Sequence, residues 1–124
     1  VSFISQNWKK YPALIQDSTL VTKIIDIEKT INGRAYYYIP KEKVLPFAGQ
    51  IKTGDIILIT TKKKGLDTAH VGIAIENEGQ IYLLHASVSD KKVSITTETL
   101  PDYLQRITSH SGIMIGRLIN FKSN

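Results

Sequence analysis

The amino-acid sequence predicts an α+β domain built on an antiparallel sheet with flanking helices. Strand-like runs follow one another through the middle of the chain with short turns between them. Helix-like patterns gather near its start and its end, and the regular βα alternation of a doubly wound sheet is missing. At 124 residues the chain reads as a single domain, 1–124, since domains commonly run about 100 to 150 residues. A hydrophobic fraction of 42% beside 22% charged residues is that of a folded chain and not of a disordered one.

The elements follow in order. Val1 to Gln16 carries Phe3, Ile4, Trp8, Tyr11, Leu14 and Ile15 around Pro12, a surface-packed lead-in that no continuous helix can cross, although one can begin at the proline. From Asp17 to Ile31, Leu20, Ile24, Ile27 and Ile31 recur at spacings of 4, 3 and 4, one face of an α-helix. Asp17, Ser18 and Thr19 supply capping oxygens, and Asn32-Gly33 supplies the stop. Arg34 to Ile39, RAYYYI, is aromatic-rich and ends at Pro40, which predicts a first or edge strand with the three tyrosines packed on it. Lys41 to Thr53 reads as a connection with one short helical turn. Gly54-Asp55 turns the chain into the apolar run DIILIT, a buried strand.

A loop from Thr61 to Ala69 leads into HVGIAIE, which alternates Val71, Ile73 and Ile75 with His70, Gly72 and Ala74. The first set is a greasy face; the second sets a histidine beside small residues that leave room for a ligand. QIYLLHAS is the returning strand of a hairpin, KVSIT a further short strand, Thr99 to Ile107 a helix with Pro101 in its first turn, and IMIGRLI the last strand.

Charge narrows the partners. Sixteen Lys+Arg against 11 Asp+Glu give +5, a balance that favours acidic partners. The charges are scattered, and the one dense run, Lys62-Lys63-Lys64, has no neighbouring aromatic to stack a base. It therefore reads as a solvated loop face, with a specific anion site as the alternative, and the scatter argues against a nucleic-acid partner. No apolar run approaches the roughly 20 residues of a membrane span, and no signal-peptide core opens the chain. There is no cysteine, so thiol chemistry has to come from other residues than these.

The candidate chemistry lies in Gly65 to Ser87, which holds His70 and His85 at the two ends of the hairpin. A turn at Asn77-Glu78, or a loop from Glu76 to Gly79, sets the two histidines directly opposite each other on one face, roughly 4.5 to 5.5 Å apart at Cβ; a three-residue loop would separate them. Paired in this way, one imidazole can act as general base while the other fixes its tautomer. Zinc held by His70, His85 and either Asp67 or His110 is the competing chemistry, but no short ligand motif supports it. Asp67 either shapes the cleft beside His70 or simply forms a turn. Ser87 either bonds substrate or ends its strand. Asp55 reads as fixing a turn before the buried strand, with substrate contact the alternative, and His110, outside any motif, reads as solvated.

The run GDIILITTKKKGLDTAHVGIAI, followed by LLHAS, KKVSI, a Leu-Pro-Asp-Tyr-Leu helix and GIMIGRL, resembles the NlpC/P60 superfamily of papain-like cysteine hydrolases. More narrowly it is similar to the DUF1460 branch, described as N-acetylmuramoyl-L-alanine amidase-like, which YYYIP also fits. The resemblance covers roughly residues 35 to 119. It implies a papain-like fold and a Cys/His/His hydrolase of peptidoglycan, with His70 as the base and His85 as the orienting residue. It implies no cofactor, a muropeptide substrate cut between N-acetylmuramic acid and L-alanine, and a bacterial periplasmic or envelope location. Related members cut between D-glutamate and a diamino acid. The family's cysteine stands upstream on a helix N-terminus, where the dipole and the histidine lower its pKa. Its absence here, together with an opening Val1, leads to the expectation of a C-terminal portion of a longer catalytic domain, inactive alone, whose upstream segment supplies the cysteine. A wall-binding pseudoenzyme is the alternative.

Overall fold

The computed structural model describes residues 1–120. They divide into two compact units, Val1–Tyr37 with Lys63–Asp67, and Tyr38–Lys62 with the chain from Thr68 onward.

The first unit holds three helices, α1 (Phe3–Gln6), α2 (Pro12–Gln16) and α3 (Thr19–Asn32), with a 3-10 turn at Trp8–Lys10. Pro12 opens α2 at a position where its missing N–H costs nothing. Asp17 Oδ1 accepts from the backbone N and Oγ1 of Thr19 at 3.0 and 2.6 Å, which starts α3, and the chain leaves the helix at Gly33. The inward face of α3 differs from the expected stripe by one position. Ile27 is exposed while Glu28 is buried, because the Glu28 carboxylate accepts from the backbone N–H groups of Ile4 and Ser5 in α1. The GLD loop belongs to this unit: Gly65 O accepts from Ser2 N and Phe3 N at 2.9 and 3.1 Å.

The second unit is a six-stranded sheet in the order β1-β6-β2-β3-β4-β5, every recorded pair antiparallel. Its strands are β1 (Ile39–Pro40), β2 (Ile56–Thr61), β3 (Thr68–Asn77), β4 (Gln80–Ser87), β5 (Lys92–Ile95) and β6 (His110–Gly116). Helices α4 (Lys41–Phe47) and α5 (Leu100–Arg106) pack on one face. Val44, Leu100 and Leu104 meet Ile57, Ile59, Leu83 and Ile113 in a core of fully buried side chains. Thr99 caps α5, its Oγ1 accepting from Asp102 N. Asp55 is buried and forms a two-pronged ion pair with Arg117 just past β6, with both N–O distances 2.7 Å.

Three expectations are corrected here. RAYYYI yields only the two residues Ile39–Pro40 as strand, at the sheet's edge. Tyr36, Tyr37 and Tyr38 are exposed and not packed, because this stretch is where the chain passes from one unit to the other. The connection after Pro40 contains α4, a seven-residue helix anchored by fully buried Val44, followed by a 3-10 turn at Ala48–Gln50. On β3 the small residues face the core while Val71 and Ile73 are 52% and 43% exposed. The space beside Gly72 is filled, since an added Cβ would lie 2.5 Å from Leu83 Cδ1.

Gly112 allows β1 to lie against β6, for a Cβ there would collide with the Ile39 carbonyl. The two-residue edge strand can peel away from that clash. Gly112→Ala is therefore expected to cost about 1–2 kcal/mol, read as a lower urea midpoint; an unchanged midpoint would show that β1 contributes nothing to stability.

Candidate active site

The hairpin turn is Glu78-Gly79, both residues in the left-handed region at φ 51° and 76°, with Asn77 paired to Gln80. That is two residues away from the register that sets His70 directly opposite His85. A shift of two leaves every side chain on its face, so the histidines meet diagonally and not head-on. His70 Nε2 and His85 Nδ1 are 2.8 Å apart, with the rings edge-to-face at 86°.

Two register slips lie at this end of the sheet. Ile59 pairs with His70 and Thr60 with Thr68, leaving Ala69 as an extra residue beside His70. Thr60 pairs with Gly112 and Thr61 with His110, leaving Ser111 extra beside His110. Bulges of this kind re-aim neighbouring side chains and recur beside active sites. The rings continue in a row, with Tyr103 of α5 5.6 Å from His85 on one side and 5.6 Å from His110 on the other.

The row lines a cleft of about 930 Å³ whose walls include His70, His85, Ser87, Tyr103, Arg106 and His110. Burial, then the neighbouring His85, lowers the pKa of His70 below 6.5, so its imidazole is a neutral base at pH 7. Burial, followed by His70, Lys41 and Arg106, lowers that of His110. Burial also raises the Tyr103 phenol, which stays protonated. Arg106 stacks over Tyr103 at 5.3 Å and pairs with Glu98 at 2.6 Å on the rim.

Of the residues singled out from sequence, His70, His85 and Ser87 line this cleft. The Ser87 hydroxyl is already engaged, accepting from Asp90 N at 3.2 Å and meeting Ser89 Oγ at 3.1 Å, so it also builds the β4–β5 turn. Asp67 lies in the first unit, its Oδ1 4.0 Å from the Val1 ammonium. His110 is 5% exposed, contrary to the expectation of a solvated side chain. Sequence reasoning treated Tyr103 only as a helix-face residue and passed over Arg106 and Glu98. The sole available signal was their clustering around one helix. Among the described residues no three of His, Cys, Asp or Glu come together as metal ligands, so the zinc arrangement does not assemble. Among them, too, no helix is long and apolar enough to cross a membrane.

This geometry can accept and return a proton at one imidazole while a second imidazole holds it in place. The comparisons with known proteins concern the chain as a whole. A family model described as AmiA-like, N-acetylmuramoyl-L-alanine amidase-like, matches residues 2–113. An N-acetylmuramoyl-L-alanine amidase structure from Bacteroides uniformis ATCC 8492 is 37% identical with a TM-score of 0.83, covering 93% of this chain and 49% of that one. A Bacteroides fragilis structure provisionally named a xylanase is also 37% identical, with a TM-score of 0.85 over 93% of this chain and 50% of that one. A DUF1460 protein from Legionella pneumophila is 25% identical at a TM-score of 0.53, over 80% and 40%. No curated protein gives a significant match. The chain thus spans about half the length of the two Bacteroides structures. With a family match running through both units and an α+β architecture similar to the amidase structures, the chain belongs to the N-acetylmuramoyl-L-alanine amidase-like family.

Proposed function

We propose that the chain carries the acid–base half of a papain-like, NlpC/P60-type cysteine amidase, acting on peptidoglycan outside the cytoplasm, in the periplasm or envelope. The substrate is a muropeptide, and the bond cut is the amide between N-acetylmuramic acid and L-alanine. The observation that carries this reading is the 2.8 Å contact between His70 Nε2 and His85 Nδ1.

The proposed roles set the tautomers across that contact. For His70 to act as base its Nδ1 must carry the lone pair, so Nε2–H donates to His85 Nδ1, and the proton of His85 resides on its own Nε2. A cysteine thiol presented to His70 Nδ1 gives up its proton there, and the thiolate attacks the amide carbonyl. His85 Nδ1 then accepts from an imidazolium instead of a neutral ring, a stronger hydrogen bond. The C–N bond breaks as His70 returns the proton to the departing L-alanyl amine. Water, deprotonated by the same nitrogen, hydrolyses the thioester and regenerates the thiol. The sequence contains no cysteine, so the thiol comes from polypeptide outside these 124 residues, a reading supported by relatives about twice as long. By itself the chain binds and does not turn over.

The xylanase designation of one similar structure does not carry over to this cleft. Glycoside hydrolysis uses a pair of carboxyl groups flanking the bond; of Asp90 and Glu98, which line this cleft, Glu98 is committed to Arg106 at 2.6 Å. Mass spectrometry of muropeptides incubated with the cysteine-bearing protein tests the proposal. Free stem peptide beginning at L-alanine is expected. Cleavage after D-glutamate would reassign the bond, and binding without any product would reduce the protein to a wall-binding module.

A further inference from the structure

His110 is a buried ionisable side chain of the cleft that the proposed reaction leaves unused, and its surroundings are unusual. It is 95% buried, yet its Nδ1 has no hydrogen-bond partner among the described residues. An unsatisfied buried polar atom is costly and rare in folded proteins. The ring nevertheless lines the cleft, is aligned with Tyr103 at 5.6 Å and 37°, and sits beside the Ser111 bulge as His70 sits beside the Ala69 bulge. A side chain needed only to fill space there would be better served by a phenylalanine, which leaves no nitrogen unpaired.

With Nδ1 sealed, Nε2 is the nitrogen left to meet a ligand. Protonating both nitrogens would bury a charge next to His70, Lys41 and Arg106, which all oppose it. A neutral ring with its single proton on Nε2 leaves only a lone pair unpaired at Nδ1 and makes Nε2 a donor fixed in direction. We infer that His110 is a substrate-binding residue, whose Nε2–H donates to a carbonyl oxygen of a muropeptide lying along the row of rings from His70 to Tyr103. This rests on the amidase reading for the identity of the ligand, though not on the missing thiol. Because the ring touches substrate and not the reacting atoms, its loss should weaken binding without disturbing the His70–His85 pair.

The test uses the chain as it stands, since binding needs no nucleophile. The sequence has three histidines, so ring nitrogen spectra of ¹⁵N-histidine-labelled protein resolve each one. The probe is N-acetylmuramoyl-L-alanyl-D-isoglutamine. In the free protein the His110 ring is expected as the Nε2–H tautomer, and on adding the probe its Nε2 signal should move together with those of His70 and His85. His110→Phe should weaken binding about three- to tenfold, one neutral hydrogen bond, while the His70 and His85 signals stay in place; His110→Gln, which keeps a donor near Nε2, should recover part of the loss. If the probe moves His70 and His85 but leaves His110 unchanged, the inference is overturned and the amidase reading stands. If it moves none of the three, both fall. Equal loss in the Phe and Gln variants accompanied by altered His70 and His85 spectra would make His110 structural and overturn the inference as well.

Discussion

In the cysteine-bearing enzyme, His70→Ala is expected to lower kcat/KM on muropeptides by about 10²–10⁴-fold, the range over which a positioned general base contributes. The drop should appear in kcat more than in KM, because His70 acts on a proton in flight and not on bound substrate. His85→Ala should cost less, since His70 keeps its own lone pair and loses only the partner at 2.8 Å that holds its tautomer. The pH profile separates the two roles. Burial and His85 hold the His70 pKa below 6.5, so the base is fully available at neutral pH. The acid limb of kcat/KM should therefore fall below pH 6.5. In His85→Ala burial, the larger cause of the lowered value, remains, so the limb should be kept and stay below 6.5. An acid limb above 6.5 in the parent enzyme, or a His70→Ala variant retaining most of its kcat, would remove His70 from the role of base.

The pair was legible because strand geometry forgives even-numbered errors. Moving the turn from Asn77-Glu78 to Glu78-Gly79 slides β4 by two residues and leaves His85 on the face of His70. DIILIT and the period of α3 were legible for the same reason, a repeat long enough to dominate local detail. Where one contact decides, the pattern failed. Nothing near Ile27 signals that Glu28 turns inward to bond two backbone amides of a helix more than 20 residues away. The tyrosines of RAYYYI have strand propensity but no strand to join at the joint between two units. The alternation of β3 identifies two faces, but the room expected beside its small residues is not there, because Leu83 from β4 occupies the gap left by Gly72. His110 was misread because its burial comes from Tyr103 and a bulge, neither of which local sequence reveals.

Asp55 is where the largest loss of stability is expected. Its carboxylate accepts from Arg117 Nε and Nη2 and from Lys52 N at 2.7, 2.7 and 2.8 Å, and its own backbone oxygen accepts from Ala74 N at 2.8 Å. One buried side chain thus ties the start of β2 to the residue after β6, closing the sheet at the end opposite the histidines. Removing one partner of a buried pair typically costs 3–5 kcal/mol, but the Arg117 side chain is half exposed and can be resolvated. Asp55→Ala is therefore expected to lose about 2–3 kcal/mol, seen as a fall of roughly 10 °C in Tm. Asp55→Asn, which can still accept from Lys52 N, should lose less. The Arg117 hydrogen bonds lower the Asp55 pKa below 3.8 in the folded protein despite its burial. The unfolded state therefore takes up this proton first as pH falls, and the stabilisation is fully present above about 3.8 and disappears as pH drops through the folded value. Urea titrations of the parent and Asp55→Asn should accordingly differ at pH 7 and converge below that value; a gap of undiminished size in acid would mean that packing, and not the carboxylate charge, sets the stability of this corner.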